Sequence, residues 1–86
     1  MLMNDKIMLE VSLPATHKSY DLWTPIQLTV GQASALIAEI LQSREPDRYS
    51  AQGDIALMDK GTGALLNPNC KIQDSGLVTG SQVVLV

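Results

Sequence analysis

Hydrophobic and polar residues alternate from Lys6 to Leu13. Ile7, Leu9, Val11 and Leu13 share one face, and Lys6, Met8, Glu10 and Ser12 share the other. A period of two predicts a half-buried strand. Pro14 to Ser19 is polar and turn-rich, and Pro14 ends the strand. Tyr20 to Thr24 alternates again, with Tyr20, Leu22 and Thr24 on one side, so the pair forms a hairpin. Pro25 lacks a backbone donor and closes the second strand or leaves it at an edge. Thr29-Val30-Gly31-Gln32 fits a capping box, a hydroxyl followed three residues later by a glutamine. Val30, Ala33, Ile37 and Ile40 or Leu41 then recur at three- and four-residue spacing, which predicts an amphipathic helix to about Ser43. Arg44-Glu45-Pro46-Asp47-Arg48 is a polar exit, because Pro46 opposes continuation.

Beyond the helix, Asp54 to Asp59 predicts a third strand with Ile55 and Leu57 inward. Lys60-Gly61-Thr62-Gly63 is a turn, and Ala64 to Leu66 a short fourth strand. Ile72 and Leu77 anchor a turn-rich segment. Gln82 to Val86 is the last strand, with Val83 and Leu85 inward and Val84 and Val86 outward. The order is β-β-α-β-β-β. The first and last strands are the most apolar and are expected at the middle of the sheet. A lone helix has one large apolar partner, so it must cover one face of a mixed sheet of about five strands. The class is α+β, and the arrangement is a β-grasp. Residues 1–86 form a single domain, with 1–5 expected to be flexible.

Composition narrows the function classes. The chain has 86 residues and a net charge of −3. At this length only about two-thirds of the unfolded surface is buried, so the core is modest. Phenylalanine is absent, which makes that core aliphatic. The six Lys and Arg residues are scattered, whereas a nucleic-acid footprint needs them clustered. No apolar run approaches the ~20 residues of a membrane span, and the first residues do not read as a signal peptide. With one cysteine no internal disulfide can form, and a cytoplasmic location is the expectation.

The segment from Leu66 through Ile72, Asp74, Leu77 and Ser81 to Val83 and Leu85 resembles the corresponding stretch of ubiquitin without a gap. The helix start at Thr29-Val30 and the inward Ile37 fall in step. The chain is thus similar to the ubiquitin-like β-grasp superfamily. Within it, the run from Cys70-Lys71 through Asp74-Ser75-Gly76 to Gly80-Ser81 resembles the small YukD-like (EsaB-like) proteins of bacterial type VII secretion, as does Tyr20-Asp21-Leu22. That resemblance implies a bacterial, non-catalytic interaction module without a cofactor. The sequence ends on Val84-Leu85-Val86 rather than the diglycine that ubiquitin conjugation requires, so attachment to other proteins is not expected. Ubiquitin's binding patch has a bulky aliphatic residue on the third strand, where this chain is expected to place Ala56.

Candidate chemistry is thin. Cys70 and His17 are the sole Cys and His and fall in different loops, so no nucleophile–base pair is expected. Cys70 reads as a small apolar residue and His17 as a solvated loop residue without metal-site companions. Glu45, Asp47, Asp54 and Asp59 lack ligand spacing and read as solvated. Gly61-Thr62-Gly63 lacks the lysine and following helix of a phosphate loop. Strand alternation, by contrast, puts Met8, Trp23, Ala56, Val84 and Val86 on the face away from the helix, which is normally wet. A contiguous apolar patch there reads as a protein-binding surface, with Trp23 as an anchor. The competing reading has Trp23 packing over the sheet edge and the valines serving strand propensity. The free edge of the second strand, Ser19 to Thr24, is a second candidate. The expected partner is a protein, either a secretion-system component or a second copy of this chain. The alternative function is a small non-catalytic subunit of a multicomponent enzyme such as a bacterial monooxygenase.

Overall fold

The computed structural model describes residues 5–47, 49 and 55–86. The first alternating run forms strand β1, Lys6–Leu13, paired antiparallel with β2, Lys18–Pro25. The turn between them is closed by the Thr16 and His17 amides, both bonded to the Leu13 carbonyl at 3.1 Å. Helix α1 spans Val30–Arg44. Strand β3 is Leu57–Asp59, a 3-10 turn covers Ile72–Asp74, and β4 is Gln82–Leu85. The sheet order is β2-β1-β4-β3, with β1 and β4 parallel and β3 and β4 antiparallel. The two most apolar strands therefore occupy the centre, as expected.

The capping box forms. The Gln32 amide donates to Thr29 Oγ1 at 3.1 Å, and the Thr29 amide donates to Gln32 Oε1 at 3.0 Å. Two donors left orphaned at a helix start are satisfied locally. The buried stripe is Val30, Ala33, Ser34, Ile37, Ala38 and Leu41. It packs on the inward residues Leu9, Val11, Leu13, Leu22, Leu57, Val83 and Leu85 in one aliphatic core with Ile72. The helix runs one residue beyond Ser43, and its last amide bond comes from Glu45 to the Leu41 carbonyl.

Two expectations change. Among the described residues the sheet has four strands, not about five. Ala64–Leu66 makes a single bridge, Leu65 to Met58, supported by bonds from the Asp59 amide to Ala64 and from Leu66 to Leu57. The segment lies between Gly63, whose φ is 73°, and a turn in which Asn67 Oδ1 accepts from the Asn69 amide. Too few residues remain between those turns for a ladder. The third strand is shorter than expected, although Ala56 still exchanges both backbone bonds with Val86. The Asp54 start of that strand, the Arg48 exit and most of the expected flexible stretch 1–5 lie outside the described residues.

Candidate interaction surface

Alternation about the inward Leu9, Leu22, Leu57 and Val83 fixes which side chains face away from the helix. They are Met8, Glu10 and Ser12 on β1, Ser19, Asp21 and Trp23 on β2, Gln82 and Val84 on β4, and Met58 on β3. Ala56 and Val86 continue that face past the ends of β3 and β4. All five sequence-predicted residues thus lie on the helix-free face. Trp23 is 62% exposed and Val86 49% exposed, while Met8, Ala56 and Val84 are half-buried.

The register does not bring the five together. Met8 pairs with Trp23 at one end of the sheet. Glu10 pairs with Asp21 on one side and Gln82 on the other, and Gln82 Nε2 donates to Glu10 Oε2 at 3.3 Å. Val84 lies in the row beyond, between Ser12 and Met58, with Val86 and Ala56 beside it. A polar row, Asp21–Glu10–Gln82, therefore separates two apolar ends, and the expected continuous patch is instead a split one. Burying Trp23 at a partner would also be limited at that row, because desolvating its carboxylates is costly.

Two apolar residues at the second end were missed. Met58 is half-buried beside Val84, and Leu65, bridged to Met58, is 65% exposed. Ala56 faces outward beside the third strand, as expected, and Met58 is the next outward position. The period-two pattern about Leu57 contained the signal for Met58. Leu65 carried none, because its face depends on a single bridge across the turn.

The remaining candidates separate. His17 sits at the β1–β2 turn, close to the helix end where Lys18 Nζ meets Glu45 Oε2 at 3.5 Å. Cys70 sits at the other end, its carbonyl accepting from the Val30 amide at 2.7 Å. A helix of 15 residues lies between those ends, roughly 22 Å of rise, so the two are not a catalytic pair. Asp59 Oδ1 accepts from the Gly61 amide at 2.8 Å and shapes the turn. Tyr20 OH donates to Glu45 Oε2 at 3.1 Å and lies 3.0 Å from Thr16 Oγ1, which ties the hairpin to the helix end. Strand β2 is at the sheet edge, as the second candidate surface requires.

No family model and no curated protein matches the chain. Solved structures do. The ubiquitin-like domain of the Mycobacterium tuberculosis type VII secretion protein EccD1 is similar at a TM-score of 0.75 and 20% identity, over 94% of this chain and 97% of that one. The EccD5 ubiquitin-like domain from Mycobacterium xenopi is similar at 0.79 and 11% identity, over 94% and 92%. A chain of a toluene 4-monooxygenase HD complex is similar at 0.75 and 12% identity, over 94% and 96%. At these identities the likeness is one of fold.

Proposed function

Starting from a ubiquitin-like β-grasp fold, we propose that this chain is a non-catalytic protein-interaction module, a cytoplasmic accessory of a bacterial type VII secretion system. It acts through the sheet face opposite the helix, with Met8 and Trp23 at one end and Ala56, Val84 and Val86 at the other. The observation that carries the reading is Trp23. It is the chain's single tryptophan and is 62% exposed on the helix-free face, where an aromatic ring left in water is a natural anchor for a partner. The secretion assignment is supported by the EccD1 likeness, which spans nearly all of both chains. No helix among the described residues is long and apolar enough to cross a membrane.

Affinity capture tests this with the wild type and two single variants, Trp23→Ser and Val84→Asp. Each reads one end of the split face. The expected result is recovery of a type VII secretion component that at least one variant loses, with circular dichroism unchanged. A partner set identical across all three proteins refutes the face as the interface. The monooxygenase likeness favours one second reading, a small non-catalytic subunit of a multicomponent oxygenase. Recovery of oxygenase subunits in place of secretion components decides for it.

A further inference from the structure

The β1–β2 turn and the start of the β3 turn meet across the sheet end in a cavity of about 300 Å³. Its polar lining is Ser12, His17, Lys18, Ser19 and Lys60, and its apolar wall includes Pro14 and Val84. Two of the lining residues are lysines in a chain of net charge −3.

Hydrogen-bond accounting shows what the cavity lacks. Lys60 Nζ donates to Ser12 Oγ at 3.4 Å, and among the described residues it pairs with no carboxylate. Ser12 Oγ and Ser19 Oγ lie 3.3 Å apart and share one hydrogen. Two hydroxyl hydrogens and one mutual bond leave one hydroxyl donor that the pair does not use. Lys18 does have a carboxylate, Glu45, but its side chain is 54% exposed, so that pair is weak. Glu45 also accepts from Tyr20 OH, so the Lys18 ammonium lies with it on the helix side of the strand, and Lys60 is the cation at the cavity. His17 is fixed at the rim by its own backbone, with φ 56° and its amide bonded to the Leu13 and Pro14 carbonyls at 3.1 and 3.3 Å.

We propose that this cavity binds a carboxylate side chain on an acidic segment of a partner protein. Lys60 pairs with the carboxylate, the spare seryl hydroxyl donates to it, and Val84 and Pro14 cover its methylenes. Charge complementarity selects the occupant. An extended polyanion, such as a nucleic acid or an anionic bilayer, would have to pass the next row of the face, where Glu10 and Asp21 lie; a single carboxylate on a short arm does not. The inference rests on the reading of this face as a contact surface, since the cavity shares Val84 with it, and it adds the chemistry of the partner.

The test is a titration of the isotope-labelled full chain, followed by amide chemical shifts. The probes are a capped Ala-Leu-Glu-Leu-Ala peptide, its capped Ala-Leu-Gln-Leu-Ala counterpart, and phosphatidylserine vesicles. The acidic peptide is expected to shift the amides of Ser12, His17, Ser19 and Lys60, and the neutral peptide is not. Lys60→Gln raises the Kd about two- to fivefold, the loss of one exposed charge contact. Lys60 is solvent-exposed, so the fold survives, and circular dichroism checks it. Equal response to both peptides, shifts confined to other residues, or preferential binding of the vesicles overturns the proposal. Trp23→Ser separates the two readings. Peptide binding that persists in this variant while partner capture is lost supports both. Partner capture in the wild type without peptide binding removes the acidic partner and leaves the face.

Discussion

Replacing Ile72 by alanine tests whether the turn-rich stretch before the last strand is a structural keystone. Ile72 is 0% exposed. Its amide donates to the Leu28 carbonyl at 2.9 Å, and the next amide donates to Ile26 at 3.0 Å. Its neighbourhood also receives the helix start, since the Val30 amide bonds to Cys70 and the Gly31 amide to Pro68. The substitution removes three carbons, about 2.4 kcal/mol at ~0.8 per buried methylene. The rigid backbone hinders collapse around the gap, so a cavity penalty adds, and the total falls in the range of about 2–5 kcal/mol. A chain of this length holds about 4–13 kcal/mol in all. A loss of ~3 kcal/mol therefore lowers Tm by about 12–24 °C, while Ile72→Val costs only about 0.5–1.5 kcal/mol. Val78, 64% exposed in the same stretch, is the control, and Val78→Ala should stay within about 0.5 kcal/mol. Thermal melts and urea midpoints of the three variants give the comparison. An Ile72→Ala loss below ~1 kcal/mol, or one matched by Val78→Ala, refutes the keystone argument.

Two further outcomes follow from local geometry. Thr29→Ala removes the cap and should cost about 1 kcal/mol; because Gln32 answers Thr29 reciprocally, the double change with Gln32→Ala should cost less than the sum, and strict additivity in urea melts would contradict a working capping box. Burial raises the Tyr49 phenol above the ordinary tyrosine value, so the folded chain keeps that proton longer than the unfolded one. Stability is then unchanged below about pH 10 and falls as pH rises through the raised value. Tyr49→Phe should remove a phenolate absorbance step from above pH ~10 and flatten the alkaline loss, and a removed step at or below that pH would be inconsistent with burial.

What could be read from the sequence divides along a physical line. Faces were legible, because side-chain alternation is a property of one strand: Leu9, Val11, Leu22, Leu57, Val83 and Leu85 are all inward. The helix was legible for the same reason, its start marked by Thr29 and Gln32 and its stripe by spacing. Rows were not legible, because a row is a property of two strands and their register. Nothing within Met8–Ser12 or Gln82–Val86 says that Glu10 stands beside Gln82. Yet that single pairing splits the apolar face and sets Val84 next to Ser12 rather than Met8. The single bridge at Ala64–Leu66, where a strand was expected, has the same origin. Ala64-Leu65-Leu66 has strand composition, but the turns on either side leave no length for a second bridge. The basic cavity needed still more, since Ser12, Ser19 and Lys60 come from three elements and meet only after β4 has inserted between β1 and β3. Alternation alone therefore locates a surface, and pairing decides what that surface can recognise. For this chain the face was foreseeable, whereas the division between an aromatic end and a basic, apolar one follows from register alone.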